Sequence, residues 1–153
     1  MPSRIWVDTS GVALAAALDV PRIAIKVNDA EAGEVLGCMV KEPTEAVHAA
    51  RSLRRQTQSD VVVTLGACGA ILLTDTGSWY VQPPAVPMVS AVGSGDAFLA
   101  ALVMALAAGC TAPDALQEAG ATGAANALSV GGGQVQSSDI RAILQRTTIH
   151  AVE

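Results

Sequence analysis

Asp60-Val61-Val62-Val63-Thr64-Leu65 is the most strongly β-favouring run of this chain. Its valines follow one another without polar alternation, which is typical of a strand covered on both faces, as in a parallel sheet. The preceding segment, Glu42 to Gln58, has helical periodicity, because its apolar positions share one face opposite the charges. These positions are Ala46, Ala49, Ala50 and Leu53. A helix followed by a buried strand predicts an α/β fold.

The N-terminal part of the chain has a similar order of elements. Arg4 to Asp8 and Arg22 to Lys26 are short β-rich runs, and Gly11 to Leu18 between them is apolar and rich in helix formers. Strand, helix and strand in succession form a βαβ unit. The sequence therefore predicts a Rossmann-like parallel sheet with flanking helices.

The sequence of the second half of the chain predicts antiparallel strands followed by helices. Gly66 and Gly69 interrupt the chain before Ala70 to Thr74, and Asp75-Thr-Gly forms a turn into Trp79-Tyr-Val81, as in a meander. Three further segments are predicted to be helical: a long Ala/Leu helix after Gly93-Ser-Gly-Asp96, then about Ala112 to Ser129 and Ser138 to Gln145. No repeat or linker divides the chain, so we expect one domain over residues 1–153.

The composition limits the classes of function. Of the 153 residues, 51% are hydrophobic and 15% are charged, which is typical of a globular chain rather than a disordered one. The net charge is −5 and the basic residues form no stripe beyond Arg51, Arg54 and Arg55, so nucleic acid is not an expected partner. The longest apolar run, Ala97 to Ala108, is shorter than the roughly 20 residues of a membrane span. The N-terminus lacks a signal-peptide pattern, so we expect a cytoplasmic protein with no membrane partner.

Cys38, Cys68 and Cys110 are an odd number of cysteines with no C-x-x-C pair. Neither a disulfide framework nor a thiolate zinc site is indicated. We expect each cysteine to be a small apolar residue of the core.

Gly93-Ser94-Gly95-Asp96 carries the strongest chemical signal, because it runs directly into an apolar helix. Glycines around a serine allow a tight turn with converging N–H groups, and the helix adds the positive end of its dipole. Such a turn binds anions. The alternative is structural, with Asp96 as the helix N-cap. The motif Gly93-Ser94-Gly95-Asp96 does not match the P-loop, the dinucleotide-binding G-x-G-x-x-G or the nucleophile elbow.

Four motifs together resemble the PfkB (ribokinase-like) carbohydrate kinase family, in order and at family spacing. They are Asp8-Thr-Ser-Gly, Ile25-Lys-Val-Asn-Asp-Ala-Glu31, Val63-Thr-Leu-Gly-Ala-Cys-Gly-Ala70 and Val92-Gly-Ser-Gly-Asp-Ala-Phe98. The first and last most resemble the branch of 1-phosphofructokinase and tagatose-6-phosphate kinase. The resemblance implies a ribokinase-like fold and phosphoryl transfer from MgATP to a sugar hydroxyl.

The resemblance also implies roles for the glycine turn. Asp96 is the base that takes the proton from the sugar hydroxyl, and Gly93, Ser94 and Gly95 form the anion hole for the transferring phosphoryl group. A carboxylate at a helix N-terminus is a weak base, but phosphoryl transfer depends more on positioning and charge neutralisation than on base strength.

The Asn-x-x-Glu signature of the family organises magnesium and phosphate, usually through water, and here it is Asn28 and Glu31 behind Lys26. An amide and a carboxylate three residues apart suit a cation that keeps its waters. The alternative is an ordinary capping arrangement, with Asn28 as N-cap and Glu31 at the third helical position.

The nucleotide site of the family maps to Thr64, Gly66 and Gly69, where glycines let ribose and phosphates approach the backbone. The alternative is a hairpin that needs positive φ. Asn126 falls where the family places adenine contacts, and its alternative is a solvent-facing or interhelical amide. Ser90 stands where an aspartate often helps to hold a monovalent cation, which argues against K⁺ as a cofactor beside ATP and Mg²⁺.

The resemblance matches only the C-terminal half of a family member, so the sugar-binding and lid half is expected to be absent. The sequence then favours a sugar (hexose phosphate) kinase domain, with nucleotide and sugar phosphate as ligands. We expect it to form a homo-oligomer or to join a complementary N-terminal half. The alternatives are a non-catalytic module that binds nucleotide or self-associates, and a dinucleotide-binding oxidoreductase domain, against which the missing G-x-G-x-x-G argues.

Overall fold

The computed structural model describes residues 5–153. Its strands are β1 (Trp6–Asp8), β2 (Ala24–Asn28), β3 (Val61–Thr64), β4 (Ala70–Leu73), β5 (Ser78–Gln82) and β6 (Thr148–Ala151). Its helices are α1 (Gly11–Leu18), α2 (Asp29–Leu36), α3 (Pro43–Thr57), α4 (Ser94–Ala107), α5 (Ala112–Asn126) and α6 (Ser137–Leu144). A 3₁₀ turn, Gly66–Cys68, joins β3 to β4.

The strands form one mixed sheet in the order β1-β2-β3-β4-β5-β6. The pairs β1–β2 and β2–β3 are parallel, and β3–β4 is antiparallel. The register sets Asp8 opposite Lys26 and Asn28 opposite Thr64. The α/β class with a parallel sheet and an antiparallel continuation is confirmed, and the polar side chains that end β1, β2 and β3 lie at one edge of the sheet.

The described chain divides into two compact units. The first contains the residues up to Gly66 together with Ala70–Tyr80 and Ala151–Glu153. Its core joins the apolar face of α3 to β2 and β3, and the members with no exposed surface include Ile25, Val27, Leu53, Val61 and Val63. The face predicted for α3 is therefore the buried one.

The second unit contains Ala67–Gly69 and Val81–His150. Helices α4 and α5 pack closely, since a Cβ at Gly123 of α5 would lie 3.2 Å from the carbonyl oxygen of Ser94. Helix α6 packs on α5 through Ile143, which joins Ala121 and Ala125 in one apolar cluster. This packing holds the N-terminus of α4 against α5.

Some boundaries differ from the predictions. Glu42 and Gln58 are the caps of α3 rather than part of it, and α5 ends at Asn126, before Ser129. The last element predicted from the sequence is the helix at about Ser138 to Gln145, and this ending is wrong, because strand β6 follows α6. Its sequence, Thr-Ile-His-Ala, is too short and polar to indicate a strand. Arg4, the first residue of the predicted N-terminal strand, lies outside the described residues.

The prediction that the cysteines belong to the core is wrong. Cys38, Cys68 and Cys110 are all exposed. Each lies in a connecting segment: after the end of α2, in the 3₁₀ turn, and between α4 and α5. Connections run over the surface, and this outweighs the general tendency of cysteine to be buried. Within residues 5–153, no helix has the length and apolar character to cross a membrane.

Candidate functional site

The candidate site is a cleft of about 460 Å³ in the second unit, beside the N-terminus of α4. Its lining consists of Val92, Gly93, Asp96, Ala97, Ala100, Gly132 and Gly133. Two of the predicted site residues, Gly93 and Asp96, face this cleft. Gly132 and Gly133 are not among the site residues predicted from the sequence. The only signal for them in the sequence was the run of glycines after α5.

Gly93 makes the turn into α4. It is the N-cap residue and has a left-handed backbone, with φ of 77°. This conformation is unfavourable for any residue that carries a Cβ. Ser94 and Gly95 are the first two residues of the helix itself. In the described chain no side chain caps this helix. The N–H of Ser94 donates to the carbonyl oxygen of Ala91 at 3.2 Å. A helix N-terminus without a side-chain cap is suited to bind an anion.

Asp96 lies in the first turn of α4 and is exposed. The structural alternative for Asp96 is wrong, because Gly93 occupies the N-cap position and the Asp96 carboxylate makes no capping hydrogen bond in the described chain. The carboxylate lies on the cleft wall instead. An exposed carboxylate that lines a cleft can accept a proton from a bound hydroxyl group.

Asn126, at the end of α5, is fully buried. Its Nδ2 donates to the carbonyl oxygen of Val92 at 2.9 Å and to Oγ of Ser94 at 3.1 Å, while its Oδ1 accepts from the N–H of Gly133 at 2.8 Å. The adenine contact stays a prediction. In the structure the amide is occupied by protein groups, as its hydrogen-bonding alternative predicts.

In the first unit, Lys26 of β2 forms an ion pair with Asp8 of β1, with 2.8 Å between Nζ and Oδ2. The Lys26 side chain is 8% exposed and the Asp8 side chain 25%. The parallel register places the two residues opposite each other. A nearly buried ammonium in the middle of β2 is suited to bind a phosphate oxygen only if it leaves Asp8.

Asn28 and Glu31 form a reciprocal capping box at the start of α2. Oδ1 of Asn28 accepts from the N–H of Glu31, and Oε2 of Glu31 accepts from the N–H of Asn28, both at 2.8 Å. The capping alternative is therefore present in the structure. In residues 5–153, no three His, Cys, Asp or Glu side chains are grouped to hold a metal. The donor set of one amide and one carboxylate fits only a magnesium ion that keeps most of its waters.

Thr64, Gly66 and Gly69 lie around the connection from β3 to β4. Thr64 ends β3, and its Oγ1 donates to the carbonyl oxygen of Val27 at 3.4 Å. Gly66, exposed in the first unit, and Gly69, buried in the second, both have positive φ. A Cβ at Gly69 would lie 1.9 Å from the carbonyl oxygen of Val81, so close backbone packing already explains this glycine. The nucleotide role of the three residues stays a prediction.

Comparison with known proteins gives a consistent result. Residues 3–139 match the family described as "pfkB family carbohydrate kinase". The 1-phosphofructokinase of Rhodobacter capsulatus is 38% identical over 107 residues, which are 70% of this chain and 34% of the relative. Phosphofructokinase-2 of Escherichia coli, solved in complex with potassium, is 30% identical with a TM-score of 0.84, over 93% of this chain and 47% of that one. A candidate phosphofructokinase from Staphylococcus aureus has a TM-score of 0.88 at 27% identity, over 98% of this chain and 48% of that one.

Proposed function

This chain belongs to the pfkB family of carbohydrate kinases, and we propose from that premise that it is the nucleotide-binding and phosphoryl-transferring part of an ATP-dependent hexose phosphate kinase. The chain spans about a third of the length of the first curated relatives and just under half of the solved relatives. The whole reaction and its sugar substrate are therefore part of the proposal.

The observation that carries the proposal is the position of Asp96 on the wall of a cleft that also contains the Gly93 turn. A carboxylate and an uncapped helix N-terminus beside one cleft provide a proton acceptor and an anion site together. Neither a purely structural turn nor a purely structural cap requires this combination.

In the proposed reaction, a sugar hydroxyl oxygen attacks the γ-phosphorus of ATP, and the bond from that phosphorus to the β,γ-bridging oxygen breaks. The hydroxyl proton goes to the Asp96 carboxylate, and ADP leaves with the bridging oxygen. The N–H groups of Gly93 and Gly95 neutralise charge on the transferring group, and that of Ser94 joins them once it leaves the carbonyl oxygen of Ala91. Most of the acceleration then comes from positioning and electrostatics, for which a weak base suffices.

Lys26, Thr64, Gly66 and Gly69 are proposed to hold the nucleotide, as the family resemblance implies. Asn28 and Glu31 would hold Mg²⁺ through water, and this ion would neutralise phosphate charge when it is bound. Potassium is not part of the proposal, although phosphofructokinase-2 was solved with it. Ser90 carries no carboxylate, and its Oγ accepts from the N–H of Val92 at 3.2 Å.

The proposal is tested by titrating the chain with MgATP in a calorimeter and by following its melting temperature. Ligand binding stabilises the native state by RT ln(1 + [L]/Kd), so millimolar ATP at a Kd of ~10 μM adds about 2.7 kcal/mol. We expect a saturable heat signal and a higher melting temperature, both of which Gly93→Ala weakens. An unchanged melting temperature in millimolar MgATP would contradict the proposal.

A second candidate function is self-association without catalysis. Helix α1 contains no charged residue, and on it Val12 is 88% exposed. Ile5, just before β1, is 65% exposed. This alternative requires that such side chains form a contiguous apolar surface, which is typical of an interaction site. Under this alternative the chain associates in the same way whether or not nucleotide is present.

A further inference from the structure

Asn126 connects two loops that are far apart in sequence. One is the start of α4, with Val92 in the turn before the helix and Ser94 as its first residue. The other is the glycine loop after α5, which includes Gly133. The side-chain amide of Asn126 makes all three hydrogen bonds, and this residue has no exposed surface. Since a buried amide without partners is costly, breaking this link would leave polar groups on both loops unsatisfied.

The bond to Val92 also orients the turn. In a trans peptide the carbonyl oxygen of one residue and the N–H of the next point in opposite directions, and no cis peptide occurs in the described chain. Because Asn126 Nδ2 holds the carbonyl of Val92, the N–H of Gly93 is directed away from Asn126. Val92 and Gly93 line the cleft, whereas Asn126 does not. The Asn126 amide thus fixes the orientation of the Val92–Gly93 peptide beside the cleft.

We propose that Asn126 is a positioning residue that clamps the Gly93 turn to the Gly131–Gly133 loop and so pre-organises the anion hole for the phosphate chain of a nucleotide. This role differs from a contact with adenine, because the side chain acts through Val92, Ser94 and Gly133. The functional part of the inference rests on the proposed function. The clamp itself can be measured without any ligand.

The experiment compares three variants of the full chain. Asn126→Leu keeps the approximate volume and removes all three hydrogen bonds. Asn126→Asp keeps an oxygen that can accept from Gly133 but loses the donor to Val92 and Ser94. The control is Leu116→Val, at a fully buried position earlier in α5. Hydrogen exchange of residues 91–97 and 130–135 measures the clamp, and calorimetry with MgATP measures its consequence.

We expect Asn126→Leu to raise exchange at least about tenfold in both segments and to weaken MgATP binding by about tenfold or more, since each buried hydrogen bond lost is equivalent to roughly that factor. Asn126→Asp should accelerate exchange in 91–97 more than in 130–135. Leu116→Val should leave both exchange rates and the Kd within about twofold.

Unchanged exchange in Asn126→Leu, or faster exchange in only one of its segments, would overturn the clamp. Equal losses of MgATP affinity in Asn126→Leu and Leu116→Val would overturn the positioning role, because the effect would then follow stability alone. If the unmodified chain binds no MgATP, the proposed function fails, and the exchange rates still decide whether the clamp exists.

Discussion

The backbones of Gly93 and Gly132 meet so closely that a Cβ on Gly93 would lie 2.6 Å from the Cα of Gly132. In the opposite direction, a Cβ on Gly132 would lie 3.1 Å from the Cα of Gly93. The turn before α4 therefore needs glycine for two reasons, its φ of 77° and this contact. The requirement falls on Gly93 and not on Gly95, which lies within the helix.

Gly93→Ala should therefore be more destabilising than an ordinary glycine substitution. Left-handed backbone costs alanine about 1–2 kcal/mol, and the overlap with Gly132 adds to it. Gly131→Ala is the matched control, since Gly131 has φ of 92° but a Cβ added there would meet nothing within 4 Å. Urea denaturation should show a clearly larger loss for Gly93→Ala. If the two variants lose equal amounts of unfolding free energy, the contact between Gly93 and Gly132 contributes nothing to the effect.

The regular parts of the fold could be predicted from local sequence. Helix α1 has the predicted bounds, Gly11–Leu18, and the three valines of β3 are fully buried. Hydrophobic periodicity reports burial directly, so these elements follow from it. Strand β6 could not be predicted in this way, because its pairing depends on residues far away in sequence.

The candidate site was predictable only in part. The glycine turn and Asp96 carry a local signature, so sequence was enough to find them. The link from Asn126 to Val92 and Gly133 is set by how α5 packs on α4, and no local pattern encodes such packing. For the same reason the family motif at Asn28 and Glu31 could not show by itself that these side chains cap α2.

The pH response of α3 provides a further prediction. Hydrogen bonds from the N–H groups of Lys41 and Glu42 lower the pKa of Glu45 below its usual value. A depressed carboxyl pKa stabilises the folded helix start above the usual glutamate range, and this contribution disappears as pH falls toward the lowered pKa. We expect amide exchange at Lys41 and Glu42, corrected for intrinsic rates, to lose protection below about pH 4. Glu45→Gln should lose this pH dependence. Its persistence there would assign it to another group.

The ion pair between Asp8 and Lys26 should be worth more than a surface pair. Asp8→Asn leaves a nearly buried ammonium without its counter-charge, and we expect a loss of about 1–3 kcal/mol, less than for a fully buried pair because Asp8 is partly exposed. Lys26→Met combined with Asp8→Asn should recover part of this loss. A double-mutant cycle by urea denaturation measures the coupling, and additive effects would show that the pair contributes nothing.

Self-association should depend on the surface near β1, the strand at one end of the sheet order. Val12→Asp places a charge on the exposed side of α1 in its first turn, where the helix dipole favours an acid. We expect the native chain to associate at micromolar concentrations and this variant to shift toward monomer in sedimentation. Met39→Asp, at another exposed apolar position of the same unit, should not do so. A native chain that is monomeric throughout would contradict the prediction.

The Asp96→Asn variant tests whether the chain takes part in phosphoryl transfer or only binds nucleotide. The measurement requires a complementary N-terminal half, such as the remaining part of a 1-phosphofructokinase relative, that restores phosphoryl transfer. The variant should then reduce kcat by about 10²–10⁴, the contribution of a positioned base, because the amide cannot take the proton of the sugar hydroxyl. The Kd for MgATP should change by less than about threefold, since in the proposal the nucleotide is held by backbone N–H groups, Lys26 and Thr64 and not by Asp96. The melting temperature should also be nearly unchanged, because Asp96 is exposed and does not cap α4. If activity survives within about threefold while the melting temperature falls, Asp96 acts on the helix and not on the substrate.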